Sequence, residues 1–171
     1  MLFKRLITLF SSKTVTSCLQ RSNRPFWGWL NSISNRFDES RVKEVGVEVA
    51  AAEWLVRNGA LVKWTKSDAW HNDYNSLPKH NPGQNYIIEE IDATDSCIMS
   101  VERCLSDGLK NVKKFIIKRN HYLDNEALFM LVYLKTTLKH LEISSCSNVT
   151  EEGILSLKEI QLSTGKQGKQ E

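Results

Sequence analysis

Between residues 138 and 157 the chain reads LKHLEISSCSNVTEEGILSL. Leu138, Leu141, Ile143, Cys146 and Val149 fill the slots of the pattern L-x-x-L-x-L-x-x-C-x-x-V, and Ile154 and Leu157 follow at helical spacing. That is the signature of a leucine-rich repeat. One step upstream, Val112, Phe115, Ile117, Asn120 and Leu123 occupy the same slots, with Leu128 and Leu131 behind them. Ile88, Ile91, Ala93, Ser96 and Met99 do so again, more loosely. The anchors Ile91, Phe115 and Leu141 lie 24 and 26 residues apart, within the usual period. Leu157, Ile160 and Leu162 read as the start of a partial fourth copy.

A unit of this kind makes a short strand and a helical return and cannot bury its apolar face alone, so the copies must stack. The Ser, Asn or Cys slot falls where the chain turns off the strand, and a small polar side chain there can bond backbone groups that the turn leaves unpaired. Asn120 and Cys146 are therefore read as structural. The alternating residues Asp92, Lys118, Glu142 and Ser144 are expected on the concave face, where solenoids meet partners. The predicted fold is α/β: a leucine-rich repeat solenoid with a short parallel sheet and helices behind it, preceded by a small helical N-terminal domain.

Charge separates the N-terminus from the rest. The net charge is +3, yet no Asp or Glu occurs before Asp38, while Lys4, Arg5, Lys13, Arg21 and Arg24 all precede Pro25. Without those five residues 18 basic residues face 20 acidic ones, which argues against generic nucleic-acid binding. The leading MLFKRLITLFSSKTVTSCLQRSNR is basic and rich in Ser and Thr, and Leu2, Leu6, Leu9 and Phe10 can share one helical face. That makeup predicts a mitochondrial transit peptide over residues 1–25. Nowhere does an apolar run approach the length of a membrane span.

Residues 26–61 are expected to form the helical domain. Phe26, Trp27 and Trp29 make an aromatic knot, read as buried against the repeats or else exposed as an interfacial anchor, and Trp29, Leu30, Ile33 and Phe37 fall at helical spacing, as in a short helix that leans on a partner or a bilayer surface. Asp38 is placed to cap a helix that Gly46 interrupts. A second helix follows, with Val45, Val49, Ala52 and Leu55 or Val56 recurring every three to four residues and Asn58-Gly59 as its stop. Residues 62–162 form the repeat domain, with 62–87 as a degenerate or capping unit. In it Ala60, Leu61, Val62 and Trp64 suit a strand, Ser67-Asp68 a cap for a short helix carrying Trp70, and residues 77–83 a loop. The polar, Gly-containing stretch 163–171 is expected to be disordered.

Signals for catalysis are sparse. His71-Asn72-Asp73 sets a base near a carboxylate, but the chain carries no Gly-x-Ser-x-Gly elbow and no phosphate-binding glycine loop, so these read as loop residues. The four His and four Cys show no zinc-like spacing; Cys97 and Cys104 are close enough in sequence to approach each other. The expectation is a non-enzyme with no small-molecule substrate.

Four strings carry a more specific resemblance: FWGWLN at 26–31, AAEWL followed by RNGA at 51–60, DYNSLP at 73–78, and above all IDATDSCIMS at 91–100. Together they resemble the mitochondrial ATP synthase subunit s family, also called coupling factor B or the distal membrane arm assembly component 2-like proteins. The likeness runs from about Phe26 to Leu157. It implies a protein held peripherally on the matrix side of the inner mitochondrial membrane, partnering the ATP synthase membrane sector and supporting proton-coupled ATP synthesis without catalysis itself. It also implies a weak Mg²⁺ site whose two protein ligands fall on Gly59 and Thr94, and a redox-sensitive thiol at Cys97. The alternative is an assembly or adaptor factor for the complex I membrane arm, as in the sister family. Family members continue through a further repeat strand and a closing segment, so the expectation here is a shortened form with a thinly covered last repeat.

Overall fold

The computed structural model describes residues 6–10, 38–79, 85–101, 105, 109 and 111–164. The aromatic knot of residues 26–37, Cys104 and the tail 165–171 lie outside the described residues.

The fold is α/β, built on a six-stranded mixed sheet. Its strands are β1 (Leu6–Phe10), β2 (Leu61–Trp64), β3 (Trp70–His71), β4 (Ile88–Asp92), β5 (Lys114–Lys118) and β6 (His140–Ser144), in the order β1-β6-β5-β4-β2-β3. The strands β4, β5, β6 and β1 run parallel; β2 and β3 complete the other end antiparallel. Ile91, Phe115 and Leu141 pair directly across β4, β5 and β6, so the sequence anchors form one row. All three are buried, as are Ile117 and Ile143 of the next inward row. Leu105, Leu109, Leu123, Leu128, Leu131 and Leu134 close the core behind the sheet.

After β4, β5 and β6 the backbone repeats one local conformation. Asp95, Arg119 and Ser145 all have positive φ, at 57°, 50° and 55°. A left-handed residue turns the strand abruptly toward the core and places the following side chain inside. Those following residues are Ser96, Asn120 and Cys146, the small polar slots of the repeat. Asn120 is fully buried, and its carboxamide makes four bonds. Its Oδ1 accepts from the Tyr122 and Leu123 amides, both at 2.8 Å, while its Nδ2 donates to Ser96 Oγ at 3.2 Å and the Ile98 carbonyl at 3.0 Å. Cys146 donates its thiol to the Ser144 carbonyl at 3.4 Å, and burial raises its pKa, which keeps it a thiol.

Two helices precede the sheet. α1 (Glu39–Val45) is capped by Asp38, whose side chain accepts from the Ser40 and Arg41 amides, and Gly46 at φ +84° ends it. α2 (Val47–Arg57) is unusually apolar, with Val49 through Val56 all buried, including Glu53. Glu53 tolerates burial because Arg41 of α1 grips it bidentately, Nε to Oε2 and Nη2 to Oε1, both 2.8 Å. The pair fixes α1 against α2, and α2 shares a continuous core with the sheet.

Two short helices close the other end. α3 (Asn125–Phe129), capped by Asp124, runs into a 3-10 segment (Met130–Leu134), and α4 spans Glu151–Thr164. Asn125 ties them together: its Oδ1 accepts from Thr150 N at 3.0 Å and its Nδ2 donates to Thr150 Oγ1 at 2.9 Å.

Three local expectations are corrected. The residues read as a partial fourth copy, Leu157, Ile160 and Leu162, lie in α4, where the acidic first turn of Glu151 and Glu152 and a run of good helix formers outweigh the apolar spacing. Trp70 sits in β3, not in a helix capped by Ser67-Asp68, because Val62 and Lys63 of β2 offer a free edge to which it pairs. Leu6–Phe10 form a strand where a helical face was expected, again by pairing with an open edge, that of β6.

Two substitutions probe this packing. Asn120→Ala strands the amides of Tyr122 and Leu123 in the core and should cost about 3 kcal/mol in urea unfolding. Gly153→Ala would improve helix propensity, yet a Cβ there falls on the Asn125 side-chain amide. It is expected to destabilise by about 1–2 kcal/mol, and the loss should vanish in an Asn125→Ala background.

Candidate functional site at the junction of the helices and the sheet

The stop of α2 and the turn after β4 meet. Asn58 is held by its own helix, Nδ2 to the Trp54 carbonyl at 2.9 Å, and its main-chain carbonyl accepts from Cys97 N at 2.9 Å. Gly59 follows at φ +87°, a conformation that glycine adopts freely, and a Cβ built on it would lie 3.6 Å from Ser96 Cα. The RNGA and IDATDSC strings thus form one junction. Gly59, Thr94 and Cys97 all stand on its two turns, Gly59 and Cys97 exposed and Thr94 half-buried.

The turn is braced from within. Asp92 Oδ1 accepts from Thr94 N at 2.9 Å, and Ser96 Oγ donates to the Ala93 carbonyl at 3.0 Å. Asp95 is engaged outward by Arg119, whose Nε lies 2.7 Å from Oδ1, and this guanidinium holds the Asp95 carboxyl below its ordinary range. Of the two ligands that the resemblance implies, Gly59 can offer only a main-chain oxygen and Thr94 a carbonyl or hydroxyl, and the carboxylate on the same turn, Asp92, already accepts from Thr94 N. That chemistry fits a hard cation that keeps most of its water, and only weakly. Among the described residues no cluster of three or more His, Cys, Asp and Glu gathers in metal-binding reach.

The exposed sheet face is a ladder of paired charges. Lys63, Glu90, Lys114 and His140 stand in one cross-strand row, and Ile116 and Glu142 lie in the next with Asp92. Glu90 bridges Lys63 at 3.3 Å and Lys114 at 3.4 Å, and Lys118 meets Glu142 at 2.7 Å. Asp92, Lys118, Glu142 and Ser144, expected on this face from alternation alone, are all half-buried on it. Long charged side chains flank Ile116, whose apolar surface they cover with their stems.

His71 and Asp73 do not form a catalytic pair. Asp73 spends its carboxylate on a 3-10 turn (Tyr74–Ser76), accepting from Asn75 N at 2.9 Å. His71 instead borders a cleft of about 310 Å³ beside Trp64 and Tyr86.

Glu48 was not legible as special. It lies in the first turn of α2, and its Oε2 accepts from the Ile88 amide at 2.8 Å, linking the helical pair to the start of β4. Burial pushes its carboxyl up to about 7, and the amide bond offsets only part of that. The only sequence signal was an acid flanked by two valines, Val47 and Val49, of which Val49 is buried in the core.

Comparison with known proteins decides the family. No protein-family model matches the chain. Curated relatives do: the human mitochondrial ATP synthase subunit s is 42% identical over 141 residues, covering 81% of this chain and 70% of the relative. The bovine protein of that name is 44% identical over 140 residues, covering 80% and 70%, and the rat protein 41% over 154 residues, covering 88% and 75%. The chain belongs to the ATP synthase subunit s family. Membership agrees with the resemblance carried by the IDATDSCIMS string. In this subunit s family member that string supplies the end of β4, Ile91 and Asp92, and the junction turn.

The raised Glu48 pKa gives a signed pH dependence. The folded state holds the proton to about pH 7, whereas an ordinary glutamate releases it near 4.5. Folded protein therefore binds more protons in that window, and stability falls as pH rises through it and levels off above. Glu48→Gln keeps an acceptor for Ile88 N. The stability difference between wild type and this variant, from urea midpoints, should move against the wild type by on the order of 2 kcal/mol between pH 4.5 and 7.5.

Proposed function

We propose that this chain is a non-enzymatic mitochondrial factor that acts on ATP synthase through the exposed face of a leucine-rich repeat sheet, bound peripherally at the matrix side of the inner membrane and contacting the membrane sector. The observation that carries the reading is the identity of 41–44% to proteins named ATP synthase subunit s, mitochondrial, over four-fifths or more of the chain. The parallel register of β4, β5 and β6, with its repeated left-handed turn, buried Ser96 and Asn120 slots and half-buried Cys146 slot, supports the repeat architecture. A peripheral attachment agrees with the helices among the described residues, none of which is long and apolar enough to cross a membrane.

The sheet face suits a protein partner. Its carboxylates are committed, Glu90 and Glu142 to lysines and Asp92 to a main-chain amide, so the face presents fixed charges of both signs around Ile116. Fixed, alternating charge favours register and selectivity in docking more than raw affinity. Coupling is then a matter of contact: the factor would hold membrane-sector subunits in a proton-tight arrangement.

The junction is where regulation of that contact is placed in this reading. Mg²⁺ would sit against the carbonyl oxygens of Gly59 and Thr94 with Asp92 beside it, supplying positive charge that ties the α2 stop to the β4 turn. Cys97 is exposed on the same turn. Oxidation of its thiol would add bulk where Asn58 and Cys97 are bonded, loosening the two turns.

Two measurements test the proposal. Added to inner-membrane particles depleted of coupling factor, the protein should restore proton-tight coupling and should co-purify with ATP synthase. Charge reversal by Lys118→Glu should reduce that capture about tenfold, a loss of about 1.4 kcal/mol, while leaving the fold intact. Recovery of complex I assembly intermediates in place of ATP synthase would overturn it. Millimolar Mg²⁺ should raise the melting temperature, and Asp92→Asn should abolish the rise.

A further inference from the structure

Without β1 the sheet would end on β6, and a parallel sheet exposes main-chain groups along such an edge. In this protein the edge is taken. Residues 6–10, LITLF, run parallel to β6 with Leu6 opposite His140, Ile7 opposite Leu141, Thr8 opposite Glu142, Leu9 opposite Ile143 and Phe10 opposite Ser144. The pairing extends the cross-strand rows already described. Ile7 joins the row of Ile91, Phe115 and Leu141, and Leu9 joins the row of Ile117 and Ile143. Both rows are apolar and buried on the strands that precede them. Residues 6–10 thus stand where the strand of a succeeding repeat would stand, although no repeat spacing connects them to the anchors.

We propose that the outer edge of β6 is a strand-docking surface, and that residues 6–10 are its occupant in the full chain, a plug supplied in cis. The surface accepts an extended segment with apolar residues at alternate positions, added by main-chain hydrogen bonds with the apolar rows supplying selectivity. The segment belongs to the basic, acid-free stretch read above as a removable transit peptide, and the biological consequence rests on that reading. With residues 1–25 in place the edge is filled; with them removed it is open to a parallel strand from the partner. Removal of the leader would then switch the protein from a closed to a binding-competent edge without any change in its core.

The test keeps the full chain. Hydrogen exchange is followed in wild type and in Ile7→Asp/Leu9→Asp, with the α2 amides as an internal control for folding. The expected result is at least tenfold faster exchange at β6 in the variant, unchanged α2, and protection of β6 regained when a synthetic peptide of residues 4–12 is added. Equal β6 exchange in the two proteins, or a peptide without effect on the variant, would overturn the proposal. Import into isolated mitochondria and N-terminal sequencing examines the leader separately. If residues 6–10 remain on the mature protein, the switch fails and the occupied edge stands; if they are removed while β6 exchange never depended on them, the docking edge fails and the leader stands.

Discussion

One residue, through its side chain and its main chain, connects three segments of this protein that are far apart in sequence. Asn120 bonds the turn after its own strand through Tyr122 and Leu123, and the preceding repeat through Ser96 and Ile98. Its main chain also bonds Cys146 of the next. The Tyr122 and Leu123 amides and the Ile98 carbonyl are groups that a sharp turn off a strand leaves without a backbone mate. Inside a core an unmade bond of that kind is costly, so the side chain permits the turns after β4 and β5 to be buried together. The left-handed residues Asp95, Arg119 and Ser145 are strained for side-chain-bearing residues, and the ladder over-determines them. Without it the parallel strands would have no reason to turn at the same height, and the apolar rows of Ile91, Phe115 and Leu141 would not line up.

The junction inherits its geometry from that ladder. Ser96 is at once the first rung and the residue against which Gly59 rests, so the α2 stop and the β4 turn are positioned by the core and not by their own surface contacts. The surface ion pair of Asp95 on the β4 turn with Arg119 after β5 is exposed and contributes little to stability. A ligand or an oxidised thiol at the junction would thus act on a rigid seat. Glu48 belongs to the same frame from the other side, tying the first turn of α2 to the start of β4 while sitting at a pKa near 7. The two links bracket α2, one at each end, which makes the helical pair a clamp on the first parallel strand.

Much of this was legible in the sequence because repeats announce themselves by period. The rows of the sheet, the Asn120 and Cys146 slots, the Asp38 cap, the Gly46 break, the Asn58-Gly59 stop and the strand at 61–64 all follow from spacing and local chemistry. What was missed depends on pairing between segments that no local rule connects. Trp70 joins β2 and residues 6–10 join β6 because edges were open, and an open edge is a property of the sheet, not of the joining strand. Residues 157–162 show the converse: leucines at repeat-like spacing are ambiguous between strand and helix, and Glu151 with Glu152 decides for the helix. The junction was legible only as separate parts, a helix stop and a turn. That Cys97 N bonds Asn58, some forty residues away, required the fold.

The central claim is that the repeats cohere through a buried polar ladder and not through apolar stacking alone. A double-mutant cycle on Ser96→Ala and Asn120→Ala, read from equilibrium unfolding in urea, measures it directly. A coupling energy on the order of 1 kcal/mol between the two sites is the predicted result. Additive effects within about 0.3 kcal/mol would contradict the account and leave the apolar rows as the sole tie between repeats.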